Sequence, residues 1–534
     1  MSNEKKSFLK QTSRFSVATM LSRVTGLLRE TVNAALFGAS GYMDAFVAAF
    51  RIPNLLRDLF AEGALSATYV PTFTDKLKKE GKESAFLVTS AVLSILTVVL
   101  GILVILGVVF APYFVKYYVS GFANNPDKVH LTVTLTQIMF PFILLVALAA
   151  AGMGTLNSLG RFGIPAAAPA AFNMVTIFAA LYFSRYFNPP ILVLGIGVVA
   201  GGLAQLAIQI PQLIIVGYKF KFRLAFRDES VQRILKLFLP AAIGVAAWQV
   251  NLVVGTMIAS HLQVGGISSL YYAFRLVQFP QGVFGIALAS VSLPRLSRLA
   301  ISGDYAEVGK AQRFSLRMVI FLLLPSAAYF FGAAEPMVAL AYQRGNFTWI
   351  DTLDVSMALR AYAVGLVFFG LVRVTAQVFY AFKDTSTPVK ISFVAVATNI
   401  VLSLLFLRPL KFAGLALATS LSAIVNFSLL YYFSHKKAPT PDQYGLLKYF
   451  SVVLLASIFA GIAAYGTSRF LIGPNGFGGL KKSLLATVLT AAVTIIVYLA
   501  ACAIFRVKEI GHLKSLFGRK GKTDQIDPTA ELDE

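Results

Sequence analysis

Charge is what this sequence is short of. Only 13% of its 534 residues are Asp, Glu, Lys or Arg, while 57% are hydrophobic and the mean hydropathy is +0.74. Soluble domains carry roughly 25% charged residues, so a soluble globular protein is excluded. Cysteine is nearly absent: Cys502 stands alone, which rules out an internal disulfide, and its apolar run gives it a packing role. The four histidines (His130, His261, His435 and His512) are scattered without metal-ligand spacing. No acid or histidine constellation fits a glycosyltransferase or acyltransferase, so the chain reads as a non-enzyme with no metal and no cofactor. No sizeable polar stretch provides a soluble domain, and no run alternates as barrel strands do. A signal-peptide layout is also missing: Met1–Lys10 is polar, and the next helix has a mid-span arginine and no small-residue cleavage site. The first helix is therefore expected to be retained.

What is present is a series of apolar runs of about twenty residues, the length that crosses roughly 30 Å of hydrocarbon. They predict an all-α integral membrane protein of about fourteen transmembrane helices. One of them, 42–74, is long and contains Pro53 and Pro71, so a bend or break is expected near Pro53. The net charge of +23 is not a nucleic-acid signature, because Lys and Arg gather in alternate loops. Clusters at Lys5–Lys10, Lys76–Lys82, Lys219–Arg227, Arg295–Arg313, Lys436–Lys437 and Lys514–Lys522 fall on one side, which predicts both termini in the cytoplasm.

A repeat organises the chain. Ala49-Phe50-Arg51-Ile52 recurs 224 residues later as Ala273-Phe274-Arg275-Leu276, and the Pro71 and Pro165 turns recur at Pro294 and Pro388, each 223 residues on. An offset that covers six helices preserves direction, so the expected halves are parallel six-helix lobes around a central cavity, working by alternating access. The boundaries read as a cytoplasmic N-terminus (1–12), an N-lobe (13–220), a C-lobe (221–437), a C-terminal helix pair (438–505) and a cytoplasmic tail (506–534), basic and then acidic, which can touch anionic lipid.

The charges cluster in Met20–Ser66: Arg23, Arg29, Glu30, Asp44, Arg51, Arg57, Asp58 and Glu62. A charge at mid-bilayer costs about 2.5–3.5 kcal/mol on insertion scales, so such residues face a cavity or a partner. The excess is basic, which points to an anionic guest. Arg23, Arg29, Arg57 and Arg275 are the candidate ligands, because guanidinium groups hold phosphate oxygens bidentately, and Asn54 continues the helical face of Asp44 and Arg51. Arg275, the repeat partner of Arg51, brings positive charge from the opposite lobe. Asp44 pairs with an arginine in one state, and Asp44 and Arg51 are assigned to gating. Glu30, Asp58 and Glu62 have the wrong sign for an anion and read as scaffolding. Arg373 is a further mid-span positive, balanced between cavity and packing. Glycine-rich GIGVVAGG (Gly195–Gly202) lies inside a helix and reads as close packing.

The runs LSRVTGLLRE…DAF…IPNLLRDLFAEGALSATYVP (Leu21–Pro71), LNSLGRFGIPAAAPAAFN (Leu156–Asn173), YYAFRLVQFPQGVFGIAL (Tyr271–Leu288), YQRGNF (Tyr342–Phe347) and TPVKI (Thr387–Ile391) carry a resemblance. Together they resemble the MurJ (MviN) lipid II flippases, within a superfamily that also holds polysaccharide flippases and multidrug antiporters. The resemblance covers essentially the whole chain. It implies two lobes plus a C-terminal pair that forms a groove for the lipid tail. It also implies export of undecaprenyl-diphosphate-linked disaccharide-pentapeptide across the bacterial inner membrane, driven by an ion gradient or the membrane potential. A monomer is expected, with membrane lipids as its other partners. The matching family positions are Arg23, Arg29, Asp44, Asn54, Arg57 and Arg275, with Ser268 nearby, and the resemblance adds Asn54 and Ser268 to the substrate-binding candidates. Many relatives have an acid just before the helix-8 arginine, where this chain has Phe274, which puts a carboxylate partner for Arg275 in doubt. The rival readings are a polysaccharide-lipid flippase and a cation-coupled multidrug antiporter; the second calls for unpaired acids in its cavity, and the mid-span excess here is basic.

Overall fold

The computed structural model describes residues 3–58, 64–439, 443–473 and 476–511. The 59–63 segment with Glu62, and the tail beyond 511, lie outside the described residues. Among those described, the only strand-type pairing is a bridge between Gly473 and Gly476. All else that is regular is helical. In order, the helices are α1 (Asn3–Phe37), α2 (Gly41–Arg57), α3 (Ala64–Tyr118), α4 (Pro126–Met139), α5 (Phe142–Ser158), α6 (Gly163–Phe183), α7 (Leu192–Ala207), α8 (Ile210–Ile215) and α9 (Glu229–Ala259). The second part continues with α10 (Gly266–Pro280), α11 (Ile286–Ile301), α12 (Tyr305–Gly332), α13 (Ala334–Tyr342), α14 (Trp349–Ala381), α15 (Ser386–Lys437), α16 (Gln443–Leu471) and α17 (Leu480–Ile504).

Ten helical stretches of the described residues are long and apolar enough to cross a membrane. Two are hairpins rather than rods. In α3 the Tyr69 hydroxyl lies 2.7 Å from the Thr89 hydroxyl, twenty residues on, a separation of about 30 Å along a straight helix. The chain must therefore reverse between them, and it does so at Gly81, whose φ of 84° suits a residue without Cβ. In α15 Thr419 Oγ1 lies 3.5 Å from Asn399 Oδ1, and the reversal falls at Lys411, with φ 49°. Counting both limbs of each hairpin, and adding α1 and α9, is consistent with the fourteen expected crossings. The glycine run packs as read. On α7, a Cβ at Gly201 or Gly202 would stand 2.7 and 2.8 Å from the rings of Phe172 and Phe142.

α2 runs through Pro53, which is buried, and ends four residues later at Arg57, so no helix end falls at the proline itself. α10 and α11 form one crossing joined by a π-helical turn, Gln281–Gly285.

The largest apolar cluster joins both halves of the chain near the α1–α2 turn (38–40), through Phe37, Phe46, Tyr118, Tyr272, Tyr342 and Phe347. This end is called the first-turn face below, and the opposite end, where α15 finishes, the tail face. α16 and α17 dock on α12, where the Tyr498 hydroxyl donates to the Phe321 carbonyl (2.7 Å) and Arg317 pairs with Glu509 (2.7 Å).

Candidate functional site

α1 is the helix that carries charge into the interior. Arg29 donates to Asn173 Oδ1 on α6 (3.1 Å) and to Glu30 Oε1 (2.5 Å), with the Phe172 ring 5.4 Å away. Glu30 is only 2% exposed. Across the interface, α10 presents Tyr271, whose hydroxyl donates to the same Glu30 oxygen (2.8 Å), and Arg275, whose Nε lies 3.8 Å from it. Arg275 also donates to the Tyr271 hydroxyl and to Gln278 Oε1, each at 3.1 Å. Two guanidinium groups, one from each half, thus share a buried carboxylate. Isolated, that carboxylate would be too costly to bury; paired and hydrogen-bonded, it is tolerated.

Glu30 corrects one reading: it supplies Arg275 with a carboxylate from the other half of the chain, with Phe274 standing just before that arginine. Phe274 instead packs its ring 5.3 Å from Tyr362. The available signal was its place beside Arg29 at mid-span. What it contacts lies 241 residues away, beyond the reach of helical spacing.

Arg23, two turns before Arg29, is exposed and lies over the π-helical turn: a Cβ at Gly282 would stand 3.1 Å from its Nη1.

Asp44 forms a second constellation, at the first-turn face, and is 1% exposed. Ser40 caps α2 by accepting from Met43 N–H (3.3 Å), which places Asp44 in the first turn. Asp44 Oδ2 accepts from Lys128 Nζ (2.9 Å) and Gly265 N–H (2.8 Å); Oδ1 accepts from Ser268 N–H and Oγ, both at 2.9 Å. The carboxylate thereby caps the N-terminus of α10 from the other half, where the helix dipole favours an anion. Gly265 adopts φ +88°, and a Cβ there would collide with the Ala39 carbonyl. The expected arginine partner of Asp44 is a lysine here, Lys128, which also sits 3.9 Å over the Phe122 ring. Nearby, Asn346 N–H and Nδ2 donate to the carbonyls of Ala35 (2.8 Å) and Leu36 (2.7 Å). Gly121 N–H donates to Ser260 Oγ (3.1 Å), so several contacts between the halves close this face.

The other α2 residues do not join either constellation. Arg51 donates to Thr256 Oγ1 on α9 (3.3 Å). Arg57 pairs with Asp58 (2.7 Å), whose second oxygen accepts from Gln249 Nε2 on α9 (2.8 Å). Asn54 is half-buried between them. Arg373 is exposed on α14, one turn past Gly370, whose Cα would lie 3.6 Å from a Cβ on Gly285.

An interior in which arginines outnumber acids, built on hairpins and sealed at one face, matches a known family over most of its length. Residues 33–482 fit the family model for lipid II flippase MurJ. The chain belongs to the MurJ family of lipid II flippases. It is 37% identical over 469 residues to the probable lipid II flippase MurJ of Haemophilus influenzae, covering 84% of this chain and 90% of that one. It is 35% identical over 457 residues to the lipid II flippase MurJ of Burkholderia cenocepacia, covering 85% and 89%. Among solved structures, a lipid II flippase MurJ in an inward closed conformation superposes with a TM-score of 0.78 at 28% identity, over 93% of this chain and 99% of that one. An inward-facing MATE family multidrug transporter shares the fold, with a TM-score of 0.65 at 14% identity over 82% of this chain and 99% of that one. The family is that of transporters, and this chain is a multi-pass membrane protein.

Proposed function

We propose that this chain moves lipid II from the inner to the outer leaflet of the bacterial cytoplasmic membrane by alternating access. Residues 13–220 and 221–437 work as two lobes, the tail face is cytoplasmic, and the first-turn face is periplasmic. The observation that carries this reading is the sharing of Glu30 by Arg29 and Arg275 from opposite halves. A carboxylate already held by two guanidinium groups occupies the position where a diphosphate would be clamped, so an incoming anion competes with Glu30 for both. Arg23 and Arg57 extend the basic lining along α1 and α2, with Asn54 beside them and Ser268 serving the gate. Asp44 is that gate: its grip on α10 holds the first-turn face shut, and Arg51 adds a contact to α9. The α16–α17 pair offers its outer surface to the lipid tail. A monomer suffices, and an ion gradient or the membrane potential drives the cycle.

The test is a leaflet assay with purified protein in vesicles that carry lipid II on one side. Wild type is expected to equilibrate lipid II between leaflets, and Arg29→Ala or Arg57→Ala to slow this at equal protein content. Unchanged rates in both variants would overturn the diphosphate clamp. No translocation by wild type would overturn the function. A drug antiporter is the weaker alternative, because the buried acids among the described residues, Glu30, Asp44, Glu335 and Glu509, and the partly buried Asp58, are all paired.

A further inference from the structure

The stretch that joins the two halves, Tyr218–Arg227, reads YKFKFRLAFR and plays no part in the sites above. It follows α8 and precedes Asp228, whose carboxylate caps α9 by accepting from the N–H groups of Ser230 (2.9 Å) and Val231 (3.4 Å). The segment is non-helical, yet it is fastened along α3. The Tyr218 hydroxyl lies 3.1 Å from Ser90 Oγ, Lys221 N–H donates to Ser90 Oγ (3.4 Å), and Arg223 N–H donates to Ser94 Oγ (2.9 Å). Ser90 and Ser94 are one turn apart, about 6 Å along the helix. Residues 221 and 223 are about 6.6 Å apart in extended backbone. The two spacings match, so the segment runs as an extended strip along α3.

Successive side chains of such a strip point to opposite sides. Phe220, Phe222 and Leu224 share one side and Lys219, Lys221 and Arg223 the other, and Phe226 follows in the turn that the Asp228 N–H closes on the Ala225 carbonyl (3.1 Å). The apolar four are 54%, 63%, 45% and 48% exposed, and the basic three are exposed as well. This is a contiguous apolar edge backed by cations, at the level where α3, α8 and α9 reach the tail face. Aromatic rings with basic neighbours at that depth suit the boundary between acyl chains and head groups. Placing lysines in a loop to set topology requires neither the alternation nor the phenylalanines.

We propose that Tyr218–Arg227 is a binding strip for anionic phospholipid of the surrounding bilayer. The phenylalanine side enters the acyl boundary, and Lys219, Lys221 and Arg223 hold head-group phosphates. Arg223 is the weakest of the three, because Asp228 lies 3.9 Å from it. Fastened to both α3 and the leaflet, the strip gives the connection between the halves a fixed point during the cycle.

The test uses full-length protein in detergent with phosphatidylglycerol or phosphatidylcholine added at equal mole fraction and no lipid II present, and native mass spectrometry counts retained lipids. Wild type is expected to retain phosphatidylglycerol preferentially, and less of it as salt rises. The K219Q/K221Q/R223Q variant is expected to hold it about a hundredfold more weakly, while K481Q/K482Q behaves as wild type. F220S/F222S/F226S keeps the cations and is expected to lose retention too. Equal retention of both lipids by wild type, or wild-type retention by either strip variant, overturns the proposal. Displacement of the lipid by millimolar inorganic phosphate also overturns it, since the site would then be a phosphate site and not a bilayer surface.

Discussion

Asp44→Asn tests the gate most directly. The carboxylate accepts four hydrogen bonds, one from a lysine, and lies among donors only. An amide can present its oxygen to half of them and must turn its NH2 toward the rest. Lys128, 10% exposed on its side chain, loses its counter-ion in the closed face and regains water when that face opens. Removing one partner of a buried pair costs about 3–5 kcal/mol, and only the closed state bears that cost. Taking the lower end, the closed-to-open ratio shifts by roughly 150-fold. A cysteine at Ala48 reports the shift, because Ala48 is 0% exposed and sits one turn from Asp44 on the same face of α2. The native Cys502 is buried and adds little background. Labelling by an impermeant maleimide from the first-turn face is expected to rise by roughly that factor in the Asp44→Asn background, with translocation slowed. Labelling at the parental rate would refute the assignment of Asp44 to the gate.

Other perturbations separate the remaining parts. Glu30→Gln frees Arg29 and Arg275 from their internal anion. With Arg275 one-third exposed, the Coulomb gain is discounted to about 1–2 kcal/mol, so lipid II binding by the purified variant is expected to tighten roughly tenfold while turnover falls. Weaker binding would remove the competition argument. Glu335 is 2% exposed and held by Arg360 at 2.5 and 2.6 Å, with Arg469 of α16 at 3.9 Å. Glu335→Gln is expected to cost about 2–3 kcal/mol after allowing for the partly exposed arginine, read as a lower thermal midpoint in detergent, whereas exchange of the exposed Lys116 leaves the midpoint in place. Asp384, in the turn between α14 and α15, is partly buried, which raises its pKa. Lys437 at 2.7 Å and the Thr387 N–H and hydroxyl outweigh that and bring it down to about 2. A depressed carboxylate pKa stabilises the fold above the unfolded value near 3.8 and loses that contribution as pH falls through about 2. The midpoint difference between wild type and Asp384→Asn is therefore expected to be flat above pH 4.5 and to vanish toward pH 2. A constant difference down to pH 2 would contradict it.

Composition and periodicity alone determined the class of this protein, because a bilayer admits few solutions. Backbone polar groups must be satisfied within the span, so apolar runs of this length become helices. The same reasoning marked the arginines on α1 as candidates, since a charge at mid-span calls for a cavity or a partner. The motifs around Arg23, Arg29, Asn54 and Arg57 led to the right family without a contact being known.

What tertiary structure decided is which charge meets which. Helical spacing assigns a residue to a face of its own helix but says nothing of the face opposite, so Glu30 had no named partner until α10 brought Tyr271 and Arg275 to it. Asp44 was legible as a buried acid in a first turn. That it pairs with Lys128 and caps α10, and not with an arginine, depends on where α4 and the 260–265 turn come to rest. Pro53 carried a local signal for a bend or break, and α2 ends just beyond it, at Arg57. Burial, and the partner that makes burial affordable, belong to the assembled bundle.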